Sequence, residues 1–341
     1  MSAKPSQSEV FEFCGPLYLT SSVNWTIQEH RRSVMASLVQ GVYITEIDRQ
    51  QNRTGNDALA PTWWEAFHFK CIKFLEDKMD SSIFGVIFEY MAPQHASPKY
   101  VIAIRGTMIK PKTGIRDIYL DAKIFLNELS RSFRCEIALS AVAGRIESTD
   151  PANVWLAGHS LGASIALQTG RDMVKKGYYL ETYLFNPPFL RLPVDIVSTR
   201  FVKNWARILR SVAEVGLSNV FKKTKEGDPF TLLQSWIPYL FVNPKDMICC
   251  EYLGYFEHRE KMQRWGVGEV EKIATKNSVV GLVSDALGRY GETSHLIPSA
   301  IVTANMNVKE PGFLGAHRLC QWWEQHSHWE SKCYQYTREN I

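Results

Sequence analysis

Apolar positions along the chain repeat with two periods, and stretches of the two kinds alternate. Val34, Leu38 and Val42 recur every four residues within 25–48, which predicts an amphipathic helix. Residues 63–80 read as a second helix, with Pro61 and Thr62 at its start. Residues 83–91 and 100–105 are apolar and β-branched runs joined by the loop 92–99, so they pair as strands. Two further helices are expected over 114–129 and 132–147. Short apolar runs at 154–157, 180–185, 238–242 and 300–306 read as buried strands, the last of these closing the sheet. Strands alternating with helices predict an α/β fold with a mostly parallel central sheet flanked by helices.

The same pattern organises the rest of the chain. Residues 1–8 read as a loose tail and 50–56 as a polar loop. The expectation is one domain over 1–341, with a helical extension over about 1–80. Two stretches, 195–236 and 255–293, are partly helical insertions between core strands. Such insertions act as caps above a site or pack on the sheet's flank as extra core.

Composition narrows the class without naming a chemistry. The chain has 341 residues, 45% hydrophobic and 22% charged, which is ordinary for a globular protein. The net charge of +4 is mild and its basic residues are scattered, which argues against a nucleic-acid partner. One tight cluster, Lys222, Lys223 and Lys225, reads as a solvated face or a contact for anionic lipid. Seven cysteines without a C-x-x-C pair speak against zinc and against a disulfide framework. With no basic head followed by an apolar run, and no run of about 18 apolar residues, the expected location is cytoplasmic.

The periodicity changes most abruptly at Asn153-Val154-Trp155-Leu156-Ala157-Gly158-His159-Ser160-Leu161-Gly162. A buried strand ends and a helix begins with almost no room at the corner. Side chains two positions from the middle residue would collide with the crossing backbone, so glycines stand there. This G-x-S-x-G elbow lifts the Ser160 hydroxyl to the carboxyl end of the sheet, where a nucleophile is wanted.

A serine needs a base, and the base an orienting acid. The acid belongs in a loop after a late strand. Asp172 lies on the helix after the elbow, and Asp195 and Asp228 follow no suitable strand end; Asp246 sits four residues past Val242. The base belongs after the last strand. Among His258, His295, His317, His326 and His328, the favoured residue is His317, which follows that strand through a loop containing Gly312. His295 precedes the strand and is expected to fix its entry near Pro298. His159 neighbours the serine on a sharp turn, so its side chain points away, and it reads as a packing residue or as a support for the groups around the serine. Two backbone donors for an oxyanion are expected at Leu161, after the serine, and at Thr107, in Arg105-Gly106-Thr107 after an early strand.

Together, Ile104-Arg105-Gly106-Thr107, Gly158-His159-Ser160-Leu161-Gly162 and the later Asp and His resemble the class 3 lipases, the fungal-type branch of the α/β-hydrolases. HRRSVMASLVQGVY, Trp63-Trp64 with DSSIFG, NPKDMICCEYLGYFEHR, HLIPSA and AHRLCQWW make the whole chain similar to a plant group in that family. Members carry the label GDSL esterase/lipase-like, although no Gly-Asp-Ser-Leu occurs here.

The resemblance implies an acyl-ester hydrolase with a triad of Ser160, Asp246 and His317, oxyanion donors at Thr107 and Leu161, and no cofactor. It also implies a lipid or small-ester substrate, contact with a lipid surface, a lid over 108–123 and an Asp121–Arg105 pair. Where related sequences carry a second histidine in AHRLCQWW, this chain has Cys320. Two other readings use the same residues: a catalytically silent lipase-like signalling or scaffold protein, and an acyltransferase.

Overall fold

The computed structural model describes residues 5–108, 132–189, 232–264, 297–307, 315–325 and 328–336. The expected helix over 114–129, the lid segment beyond Met108, Asp121, the lysine cluster, His295 and most of both insertions lie outside the described residues.

The described helices are α1 (Phe11–Cys14), α2 (Gln28–Gln51), α3 (Thr62–Glu65), α4 (Phe133–Ile146), α5 (Leu161–Lys175) and α6 (Glu251–Arg264). The strands are β1 (Phe69–Glu76), β2 (Ile83–Tyr90), β3 (Tyr100–Ile104), β4 (Val154–His159), β5 (Thr182–Phe185), β6 (Tyr239–Val242), β7 (Ala300–Asn305) and β8 (Trp329–Tyr334). All eight form one sheet in chain order. Strands β3 to β7 are parallel, while β1, β2 and β8 add antiparallel edges. This is the expected α/β architecture, a mostly parallel sheet between helical layers.

The strand order dictates how the faces are covered. Parallel strands laid down in sequence by crossovers of one hand place every crossover helix on the same face. Accordingly α4, α5 and the Tyr252 and Phe256 side of α6 share one core with Ile102, Ile104, Leu156, Leu184, Leu240 and Val242. The alternate residues Val101, Ala103, Trp155, Ala157, Phe185 and Phe241 point the other way. They need a separate cover, and α2 supplies it through Val34, Leu38 and Val42. Burial on both faces is why these strands read as continuous apolar runs.

Two expectations are corrected. Residues 63–80 are not a helix: α3 stops after one turn, His68 takes φ 60, and β1 follows. A register shift between Cys71 and Lys73 breaks the two-residue alternation of β1. Its polar residues Lys70, Lys73 and Glu76 therefore fall at helix-like spacing. Residues 300–306 are not the last strand, because β8 returns antiparallel beside β7. Glu9, the first residue past the expected tail, is anchored, its carboxylate meeting Arg53 at 2.9 Å. The start of the second insertion, within α6, packs on the sheet's flank as core.

Candidate active site

Because β3 to β7 run parallel, their carboxyl ends share one edge of the sheet, and ligands of open α/β sheets bind at that edge. Arg105-Gly106-Thr107 leaves β3 there, Ser160 leaves β4, Asn186 leaves β5, and Asn243 to Asp246 leave β6. Strand β8 starts at the same edge, Trp329 facing Asn305, so the connection carrying His317 begins and ends there.

Ser160 occupies φ 52, ψ −126, a strained conformation for a residue with a side chain. It is the N-cap of α5, yet its hydroxyl makes no capping hydrogen bond. The corner is tight: a Cβ on Gly158 would stand 2.4 Å from the Gly162 carbonyl oxygen, and one on Gly162 2.4 Å from that of Ile104. Only glycine fits either place. Strain of this kind persists where surrounding structure enforces it, and here it keeps the hydroxyl away from the helix.

Asp246 and His317 are directly paired. His317 Nδ1 lies 2.7 Å from Asp246 Oδ2, with the two side chains 3% and 0% exposed. Burial would raise the Asp246 pKa, but the His317 ring, the Ile248 N–H and the Asn186 amide outweigh it and hold the carboxyl below its ordinary value. An ionised carboxylate only accepts, so Nδ1 of His317 carries the hydrogen and Nε2 is the basic atom. Asn186 Nδ2 donates to Asp246 Oδ2 at 2.7 Å and to the Ala316 carbonyl at 3.1 Å, and its Oδ1 accepts from Trp322 Nε1 at 2.7 Å. The Cys249 thiol, pushed well up by burial and by Asp246, donates to the same Oδ2 at 3.2 Å. Gln321 binds the Ala316 carbonyl and accepts from Asn243 and Asn305, tying the loops after β6 and β7 together.

The serine and the pair meet through His159. Its ring lies 4.9 Å from that of His317, centre to centre, and its Nε2 is 2.9 Å from the His317 carbonyl. On the other side, Gly106 reaches the elbow: a Cβ there would be 2.8 Å from Ser160 Cβ and 2.8 Å from the Tyr43 hydroxyl. Thr107 follows, exposed at the mouth of this contact. Leu161 is the first residue of α5, whose leading N–H groups have no partner within the helix.

The structure thus gathers Ser160, Leu161, Thr107, Asp246 and His317 at one edge. Of the other histidines considered, His258 lies on α6 with its side chain exposed, and His328 is exposed beside Glu330. Asp172 lies on α5 with Gln168 and Lys175. Cys320 is half-buried against the α2-side core. Tyr43, Asn186, Cys249 and Gln321 were missed. Only Asn186 left a local signal: an Asn at the end of a strand, before Pro187, is a residue that tolerates its φ of 46. Among the described residues no three His, Cys, Asp or Glu side chains could hold a metal, and no helix is long and apolar enough to cross a membrane.

No family model matches the chain. A protein of Arabidopsis thaliana named GDSL esterase/lipase is 43% identical over 352 residues, spanning 97% of this chain and 99% of the relative. The crystal structure of a lipase from Rhizopus microsporus var. chinensis matches 65% of this chain and 68% of its own, at 14% identity and TM-score 0.35. The Rhizomucor miehei lipase propeptide complex matches 73% and 76%, at 13% identity and TM-score 0.34. At these scores neither structural likeness bears on the chemistry. The sequence likeness covers nearly the whole of both chains, so the chain belongs to the esterase/lipase family of its Arabidopsis relative, a family of carboxylic ester hydrolases.

Proposed function

We propose that the chain is a serine hydrolase of lipid-type acyl esters, of the class 3 lipase branch, acting through Ser160, His317 and Asp246. The observation that carries this reading is the buried 2.7 Å pair of Asp246 and His317 beside the strained Ser160 elbow. Ser160 Oγ adds to the ester carbonyl as His317 Nε2 takes its proton, and the ester C–O bond breaks as that proton passes to the leaving alcohol. Water then repeats the sequence on the acyl-enzyme. Asp246 holds the ring in the required tautomer and offsets the charge it gains. The oxyanion is met by the N–H of Leu161, aided by the α5 dipole, and by the N–H and hydroxyl of Thr107. Peripheral contact with a lipid surface belongs to the same reading, because the substrates are water-insoluble.

Turnover of p-nitrophenyl esters of graded chain length tests it. The parent should hydrolyse them, and His317→Ala should lower kcat by about 10⁴-fold. Thr107→Val, which removes the hydroxyl donor, should lower kcat by about ten- to a thousandfold with little change in KM. A parent with no turnover on any chain length would favour a silent signalling or scaffold protein. A His317→Ala variant with full kcat would remove the base assigned here.

A further inference from the structure

Tyr43 and His159 form a chain of hydrogen bonds that runs in one direction across the elbow. Nε2 of His159 faces the His317 carbonyl, which can only accept, so Nε2 carries the hydrogen. Burial and the neighbouring His317 hold the His159 pKa down to about 3, so the ring is neutral and Nδ1 is an acceptor. The Tyr43 hydroxyl therefore donates to Nδ1 at 2.9 Å. With its one hydrogen committed there, its oxygen accepts the Gly106 N–H at 2.7 Å. The order is fixed from the Gly106 amide through Tyr43 and His159 to the His317 carbonyl.

The two ends of this chain matter. One is the residue before Thr107, and the other is the backbone of the histidine paired with Asp246. Ser160 lies between them, its Cβ against Gly106 and its neighbour in sequence against His317. Tyr43 belongs to α2, on the face of the sheet opposite the crossover helices. The same helix also binds the His317 connection directly, Arg32 Nε donating to the Trp322 carbonyl at 2.9 Å.

We propose that Tyr43 and His159 are positioning residues, which act through the Gly106 amide and the His317 carbonyl to fix the oxyanion loop and the base relative to Ser160. The proposal rests on the serine-hydrolase reading above. Neither side chain touches the reacting atoms. Small displacements between reacting groups cost far more rate than stability, because proximity enters the barrier directly. The competing role is packing alone, in which the two rings fill space between α2 and the elbow.

The test uses the full chain and four variants, with kcat and KM on p-nitrophenyl butyrate, melting temperature, and the downfield proton resonance of the His317 Nδ1–H. Tyr43→Phe deletes one oxygen and keeps the ring; it should lower kcat by about ten- to a hundredfold with KM and melting temperature near the parent's. His159→Leu should lose as much, while His159→Gln, whose amide can still donate to the His317 carbonyl, should recover most of it. The downfield resonance should move in Tyr43→Phe and His159→Leu and return in His159→Gln. Parent-like kcat and resonance in Tyr43→Phe, or a loss that tracks melting temperature and is not rescued by Gln, would overturn the proposal. Should His159→Leu fail to fold, Tyr43→Phe decides alone. Ser160→Ala separates the two claims. Full turnover there sinks the hydrolase reading, whereas a dead Ser160→Ala beside fully active Tyr43→Phe and His159→Leu sinks only the positioning role.

Discussion

Asn186 joins three groups around the Asp246–His317 pair. It places a donor on Asp246, another on the Ala316 carbonyl, and an acceptor under Trp322, all without exposure to water. Asn186→Ala would leave the Trp322 N–H unpaired in the core, at a cost of about 1–3 kcal/mol measured by urea unfolding. Acid should act through two groups in different windows. The folded His159 ring has its pKa near 3 against an ordinary value of 6.5, so between these the unfolded chain binds a proton that the folded one does not. Stability therefore falls as pH drops from 6.5 towards about 3, and His159→Gln should flatten that part of the profile. Asp246, depressed below its ordinary 3.8, contributes stability present above that value and lost as pH falls through its lower folded pKa. Thiol chemistry follows exposure. Native protein treated with iodoacetamide should modify the exposed Cys333 and spare Cys249, whose pKa burial raises, as peptide mass mapping can read.

At the scale of elements, α2 and β1 show why some of the fold was legible and some was not. The spacing of Val34, Leu38 and Val42 announced a helix with one buried stripe, and all three are fully buried. What it could not announce is the partner of that stripe, since the partner is the far face of β3 to β6. Nor could it show that Tyr43, on the same helix, meets His159 across 116 positions of sequence. Strand β1 was misread because its bulge shifts polar residues to a spacing that suits a helix. The elbow was legible because part of its constraint is local, the Gly162 and Ala163 backbone crowding Gly158, whereas the crowding of Gly162 comes from Ile104 and Arg105 at the end of β3. If α2 is an integral layer, Leu38→Ala should cost about 2–5 kcal/mol in urea unfolding, as a cavity in any core does. A cost near zero would make α2 an appendage.

For the whole molecule, the site is the product of strand order. Asp246 and His317 were selected from sequence by asking which loops follow late parallel strands, and their side chains lie 2.7 Å apart. Their shared edge does not depend on β7 ending the sheet, because β8 enters at the edge where β7 leaves. A polar stretch ending in an edge strand reads as a tail, for its residues are mostly exposed. The support around the pair, from Asn186, Gln321 and Tyr43, was illegible because each joins loops far apart in the chain. The account's central claim is that the elbow delivers Ser160 as the nucleophile. The most direct measurement is labelling of the purified chain with a fluorophosphonate, with the modified residue mapped by mass spectrometry. The account predicts one adduct, on Ser160, lost in Ser160→Ala at an unchanged melting temperature; labelling of Ser160→Ala at the parental rate would contradict it.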